Sequence, residues 1–418
     1  MEHAKSLEIW RQAEALIPGG SQTNSKRPGN YAFGAYPIYA ARAQGSHIWD
    51  VDGNEYIDYV LGLGPISLGY AYPAVDAAIR EQLERGIVYG LLSPLEVAVA
   101  QALTEVVPCA EMVRFLKSGT EVTSAAARIA RAVTGREVIV SQGYHGWHDT
   151  WTAGHNDGGV PQALESLLVG FRFNDLPSLE RALSGHSGRV AAVILCPTQE
   201  TAPAPGFLEG VVALAHRHGA LVIFDEIVSG FRMALGGAQE RYGVVPDLAC
   251  FAKAIANGMP LAAVCGRRDV MEAAERLTIS VTYGGEALSL AAARATLQEY
   301  RSHDVIGHLW RNGQALMDGM NAAAREAGVP FRVEGHPPMS SMAFTDLPAG
   351  QSTIVWQRFL AEMASRGILL RRGGLNFITY SHSAADIDRT VGACRESMRA
   401  LQAVLDPPLA TTLASSRS

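Results

Sequence analysis

Lysine is almost missing from this chain: 418 residues contain four, against 31 arginines. Cysteine is scarce as well. The five present (Cys109, Cys196, Cys250, Cys265 and Cys394) are odd in number, scattered and never spaced Cys-x-x-Cys, a pattern of reduced thiols rather than of a disulfide framework or a zinc cluster. No excess of positive charge is available for nucleic acid, since the formal net charge is -6 and the isoelectric point about 6.1. The arginine bias reads as genome composition, not as a binding surface. Long apolar runs are missing too: none approaches the roughly 18 residues of a membrane span. The opening stretch Met1–Trp10 carries acidic residues and helical periodicity in place of a charged-then-apolar leader. The expectation is a cytoplasmic protein without membrane or nucleic-acid partners. A Gly-x-Gly-x-x-Gly after an early strand is also lacking, which disfavours a nicotinamide dehydrogenase.

What is present is an alternating α/β pattern. A hydrophobic fraction of 48% with 18% charged residues supports a large core, and the length allows two folding units of roughly 100–200 residues. Short apolar runs at Met112–Leu116, Val138–Val140, Val190–Leu195, Ala220–Phe224 and Leu261–Cys265 read as buried strands, separated by helical patterns such as Thr123–Val133 and Leu208–His218. This predicts a mostly parallel sheet flanked by helices, forming a large domain over residues 61–302. Helical patterns at Val305–Ala327, Ser352–Arg366 and Ala384–Leu405, with strand-like pieces near Phe331–Glu334 and Met339–Phe344, predict a smaller α+β domain over 303–406. Residues 1–60 contain a hairpin, His47–Asp58, turning at Asp52-Gly53-Asn54, and are expected to pack with the small domain. Residues 407–418 read as a frayed tail.

Four constellations carry chemistry. Lys253 sits between Phe251, Ala252, Ala254 and Ile255, twenty-eight positions after Asp225. An apolar frame disfavours the ammonium form, and an unprotonated amine can form an imine with an aldehyde cofactor, so the segment reads as a pyridoxal phosphate site; the bland reading is a snorkelling lysine at a strand end. Ser118-Gly119-Thr120-Glu121 follows a strand and opens a helix, presenting free N–H groups and a hydroxyl to a phosphate, although it also reads as an ordinary capping box. Tyr144 and His145, after Val138–Ser141, place an aromatic where it can lie over a pyridine ring. His145 and His148 also form a His-x-x-His pair, weak as a metal site without a third ligand. Asp225 and Glu226 end a buried strand, where a carboxylate can keep a pyridine nitrogen protonated; the other of the pair is expected to be solvated. Finally, Thr282 with Gly284 and Gly285 precedes a helical stretch and offers a second possible anion site.

In order and spacing these motifs resemble the class III pyridoxal phosphate aminotransferases of fold type I, most closely the glutamate-1-semialdehyde aminomutase-like branch. The resemblance runs from Leu16-Ile-Pro-Gly-Gly20 through Trp49–Asp58 and Gly64-Pro65 to His382–Asp388. It implies that Lys253 holds the cofactor aldehyde, Asp225 pairs with the pyridine nitrogen, Ile227 packs beneath the ring and Tyr144 stacks on it. Gly119 and Thr120 would take the phosphate, and Thr282 would reach the phosphate of a neighbouring subunit, giving a homodimer with shared sites. Departures fall at the substrate end: Cys196-Pro197 stands where the family commonly has Glu-Pro, with Glu200 a possible replacement, and Tyr70 and Tyr72 stand where histidines are common. The loop Ser21–Pro28 is more similar to that of aminotransferases acting on sugars or specialised metabolites. Lys26, Arg232, Arg371 and Arg372 are cations able to hold a donor carboxylate, each with a solvated surface role as its alternative. The implied activity is transfer of an amino group from an amino acid, L-glutamate being the first candidate, to the carbonyl of a small metabolite through a pyridoxamine intermediate. An intramolecular aminomutase, or a racemase or epimerase, would use the same cofactor residues.

Overall fold

A strand buried on both faces must be apolar at consecutive positions, because alternate side chains enter two different cores. The computed structural model, which describes residues 2–153, 158–198, 200–347 and 350–405, shows this in its central sheet. Strands β1 (Ala40–Gln44), β2 (His47–Asp50) and β3 (Glu55–Asp58) come first in the chain. They are followed by β4 (Met112–Leu116), β5 (Val138–Gln142), β6 (Leu168–Gly170), β7 (Val190–Leu195), β8 (Leu221–Asp225), β9 (Leu248–Phe251) and β10 (Ala262–Gly266). The last four are β11 (Phe331–His336), β12 (Met339–Phe344), β13 (Ile368–Leu369) and β14 (Asn376–Phe377). The chain divides into two units. One comprises the described residues up to Leu63, Gly69–Ala71 and those from Gly307 onward; the other comprises Gly64–Leu68 and Tyr72–Ile306. The expected tail over 407–418 lies outside the described residues.

The second unit is built on a seven-stranded sheet in the order β4-β10-β9-β8-β7-β5-β6. Its strands are parallel except β10, which runs antiparallel to both β4 and β9. Val138, Val140, Val193, Leu195, Val222 and Phe224 face one core, with Leu179, Leu183, Phe207, Val211 and Leu214 from the covering helices. Ile139, Ala192, Ile194, Ile223, Cys250 and Val264 face the other, packed under Val122, Ala126, Ile129 and Ala130 of the helix Gly119–Thr134. This helix starts four residues earlier than the apolar periodicity indicates, because Ser118 is its N-cap, and it stops at Gly135, whose φ of +67° is the left-handed geometry that glycine adopts without strain. All five cysteines are reduced and buried.

In the first unit, β1, β2, β3 and β13 form one sheet and β11, β12 and β14 another. The hairpin β2–β3 turns as expected: Asp50 accepts bonds from the N–H groups of Asp52 and Asn54 at 3.0 and 2.8 Å, and Gly53 takes a φ of +92°. Asp52 in turn accepts from the N–H groups of Lys5 and Ser6, satisfying the first turn of the helix Ala4–Leu16. Among the described residues, no helix is long and apolar enough to cross a membrane.

Candidate active site

Since β10 reverses direction between β4 and β9, strands β4, β5, β8 and β9 all end at the same edge of the central sheet. Each end delivers one group of candidate residues. β8 stops at Asp225, which pairs in register with Cys250 on β9, and Lys253 follows just beyond the end of β9. The apolar frame predicted around Lys253 is present: Phe251, Ala252, Ala254 and Ile255 are all buried, and Lys253 itself is half-buried. Its φ of +49° places a non-glycine residue in the left-handed region, a strain characteristic of functional positions.

Asp225 is buried. Its Oδ2 lies 2.7 Å from Nδ1 of His145, and its Oδ1 accepts from the N–H of Ile227 at 3.1 Å. A carboxylate can only accept, so the proton of that imidazole sits on Nδ1. His145 is held in place by Thr123, whose hydroxyl donates to the His145 carbonyl at 2.7 Å, and it packs edge-on against Trp151. Its Nε2 is buried without a hydrogen-bond partner among the described residues. His148 is directed elsewhere, with Nδ1 3.0 Å from the Ser124 hydroxyl, so the two histidines do not converge as ligands. The donor atoms of His145, Asp225 and Cys196 do lie within 4.8 Å of one another. The neighbour Tyr144 is 73% exposed, its ring uncovered in this chain.

The expectation that one carboxylate of the Asp225-Glu226 pair is solvated is wrong. Glu226 is fully buried, accepting from the N–H groups of Ala238 and Gln239 at 2.8 and 2.9 Å and from the Ser229 hydroxyl. Burial pushes its pKa up, while these donors pull it back. Glu226 is a clamp on the loop after β8.

At the end of β4 the capping-box reading of the Ser118 segment holds. Glu121 accepts from the N–H groups of Lys117 and Ser118 at 3.0 and 2.7 Å, as a capping glutamate does. Helix geometry leaves the N–H groups of Gly119 and Thr120 without intrahelical acceptors. Thr120 is buried and its hydroxyl oxygen accepts from the N–H groups of Trp147 and His148, tying the β4 and β5 loops together. A Cβ added at Gly119 would fall 2.8 Å from Cδ1 of Ile227, so the glycine backbone and Ile227 share one tight space.

The segment holding Thr282 does not open a helix. Thr282 lies in an exposed turn, the helix Ala287–Ser302 begins five residues later, and Glu286 takes its first-turn N–H groups, with Leu288 at 2.6 Å and Ser289 at 3.2 Å. Lys117 completes that cap through an ion pair with Glu286 at 3.0 Å. The helix terminus is therefore not an anion site.

The substrate candidates separate by location. Arg232 has no solvated surface role: it is 1% exposed and donates to the carbonyl of Gly64, and burial brings its pKa down to about 10. Glu200 and Cys196 line a cavity of ≈180 Å³ with Gln142, Phe173 and Thr201. In the first unit, Lys26 lines a cavity of ≈390 Å³ that also contains Tyr70 and Asp58, whose side chains bond at 2.7 Å. Arg371 and Arg372 line another cavity of that unit, of ≈650 Å³. Tyr72 donates to Glu299 at 2.7 Å.

The sequence from residue 31 to 393 matches the family model for class III aminotransferases. The chain belongs to this family. The aminotransferase is 38% identical over 426 residues to a glutamate-1-semialdehyde 2,1-aminomutase of Desulforamulus reducens, covering 95% of this chain and 98% of that protein. It is also 34% identical over 410 residues to a 3-aminobutyryl-CoA aminotransferase of Cloacimonas acidaminovorans, covering 96% and 98%. Its fold matches that of the FumI protein of Sphingopyxis sp. MTA144, in its pyridoxal phosphate internal aldimine form, with a TM-score of 0.90 and 27% identity over 95% of this chain and 96% of that one.

The aminotransferase thus has the fold of the fold type I transferases, and pyridoxal phosphate is its cofactor. The residues present fit that group. A glycine cradle against Ile227 leaves room that a Cβ would fill, a buried carboxylate ends β8, and a strained lysine follows the end of the neighbouring strand. The carboxylate's partnership with His145 was not legible beforehand, since the two residues lie 80 positions apart and meet only through strand order.

Proposed function

We propose that this aminotransferase moves an amino group between two separate molecules, an amino-acid donor and a small carbonyl compound. When bound, pyridoxal phosphate supplies the electron sink for the bond that breaks beside the substrate nitrogen. Lys253 would hold the cofactor through Nζ, and the same atom, once free, would take the proton from the donor Cα and return it as a general acid. Asp225, oriented by His145 and the Ile227 N–H, would keep a proton on the pyridine nitrogen. Ser118, Gly119 and Thr120 would receive the phosphate at the helix terminus, Ile227 would support the ring from beneath, and Tyr144 would cover it. The observation that carries this reading is the buried Asp225–His145 pair, at 2.7 Å, on the strand beside the one that ends before Lys253.

Support for an intermolecular reaction comes from the substrate end, where Cys196 replaces the family's common glutamate and faces a small cavity with Glu200. The names of the glutamate-1-semialdehyde aminomutase relatives favour the intramolecular alternative. Of the substrate candidates, Lys26, Glu200 and Arg371 line cavities and are the positions to vary when donors are compared. L-glutamate is the first donor to try. Isotopic labelling of the donor nitrogen separates the readings: a transferase delivers the label to a second molecule and releases the donor's keto acid. Conversion of glutamate 1-semialdehyde to 5-aminolevulinate with no external donor, and no transfer to other carbonyl compounds, would replace this proposal with the aminomutase.

A further inference from the structure

We infer that the ≈650 Å³ cavity of the first unit is a binding site for a phosphate-bearing anion. Arg27, Arg371 and Arg372 line it, with Asn24, Asn30 and Tyr31 between them, and no carboxylate belongs to the lining. None of the three arginines forms an ion pair among the described residues; Arg372 bonds only the Thr353 hydroxyl, at 3.2 Å. Guanidinium groups sharing a cavity repel one another unless an anion joins them.

The arginines are also placed by their surroundings. A Cβ at Gly19 would fall 2.6 Å from Nη2 of Arg27, and one at Gly374 would fall 2.7 Å from Cζ of Arg371, so each guanidinium lies against bare glycine backbone. The Arg371 backbone is fixed on both sides by the buried Asn376, which accepts from its N–H at 2.8 Å and donates to its carbonyl at 3.1 Å. A single carboxylate satisfies one guanidinium fork. Three forks with neutral amide donors between them, in a cavity within the roughly 300–1,000 Å³ range of small-molecule sites, match a ligand with several acceptor oxygens and at least two charges, as in a phosphate ester or pyrophosphate. The inference does not depend on the assignment of Lys253.

Calorimetric titration of the holoenzyme with inorganic pyrophosphate tests it, the cofactor phosphate site being already filled. Saturable binding is expected, weakening with added salt. Arg27→Gln and Arg372→Gln should each weaken it about tenfold or more, a loss of about 1.4 kcal/mol. Arg395→Gln, a surface arginine paired with Glu326, should leave it unchanged. The visible absorbance of bound cofactor and the melting temperature show that each variant is folded and that the Lys253 site is intact, so the two assignments fail separately. Unchanged affinity in both cavity variants, or equal loss in Arg395→Gln, overturns the site. Initial rates distinguish the sources of the anion: competition between pyrophosphate and the carbonyl acceptor marks part of a substrate, and an effect independent of acceptor marks a separate effector.

Discussion

Lys253 and Asp225 carry different burdens, and their substitutions should fail differently. Lys253→Ala removes the cofactor's covalent attachment and the proton-transferring amine together. A folded protein without the visible absorbance of the parent is expected, with activity reduced by roughly 10²–10⁴-fold or more. Borohydride reduction of the parent followed by peptide mapping should find the cofactor on Lys253; an adduct on Lys5, Lys26 or Lys117 would refute the assignment. Asp225→Ala should retain some cofactor but lower single-turnover deprotonation of substrate by roughly a hundredfold or more, and a parent-like rate would remove the pyridinium role. A third residue acts on stability. His382 is buried against Tyr59 and accepts from the N–H of Thr379 at 3.0 Å, and burial lowers its pKa from 6.5 to about 3. Between those values the folded chain binds fewer protons than the unfolded one, so stability falls as pH falls. His382→Asn keeps an acceptor for Thr379 without titrating. The stability lost by the parent between about pH 7.5 and 5.5 should shrink in this variant by about 1.4 kcal/mol, measured by denaturant titration.

At the scale of elements, the phosphate end depends on how closely two loops approach. A Cβ at Gly146 would fall 2.2 Å from the Thr120 hydroxyl oxygen and 2.8 Å from the Thr120 Cα, and Gly146 has a φ of +132°. Gly146→Ala should therefore displace the helix terminus and weaken cofactor retention about tenfold, or about 1.4 kcal/mol, read by dialysis against cofactor-free buffer; parent-like retention would show that the terminus does not hold the phosphate. Strands β4, β5, β7, β8 and β10 and most of the helix Gly119–Thr134 were legible in the sequence because continuous apolar runs and a capping serine are local signals. Glu226 was not, since a carboxylate after a strand has the same local pattern whether water or Ala238, Gln239 and Ser229 receive it. Glycine-rich residues before Ala287 suggested a helix start, yet the cap is Glu286, a residue outside the usual N-cap set. The antiparallel course of β10 was equally hidden, because a buried strand has the same composition in either direction.

For the whole molecule, the resemblance to the class III aminotransferases implies a homodimer in which Thr282 would reach the partner's cofactor phosphate. Thr282 is exposed in its turn, and the neighbouring Tyr283 is 58% exposed. Inactive variants at Lys253 and Thr282, mixed and re-associated as heterodimers, should regain some active sites; a chain that sediments as an active monomer at assay concentration would exclude the shared site. The burial of every cysteine also has a practical use. Burial pushes the thiols of Cys250 and Cys394 upward in pKa, and a hydrogen bond with Cys109 together with burial does the same for Cys265, which suppresses the reactive thiolate, and Cys196, lining a small cavity, has the readiest access for a reagent. The native protein is thus a quiet background for chemical labelling: a cysteine introduced at the exposed Tyr144 or Thr282 could carry a fluorophore that reports in real time on the cofactor's arrival and the meeting of two chains.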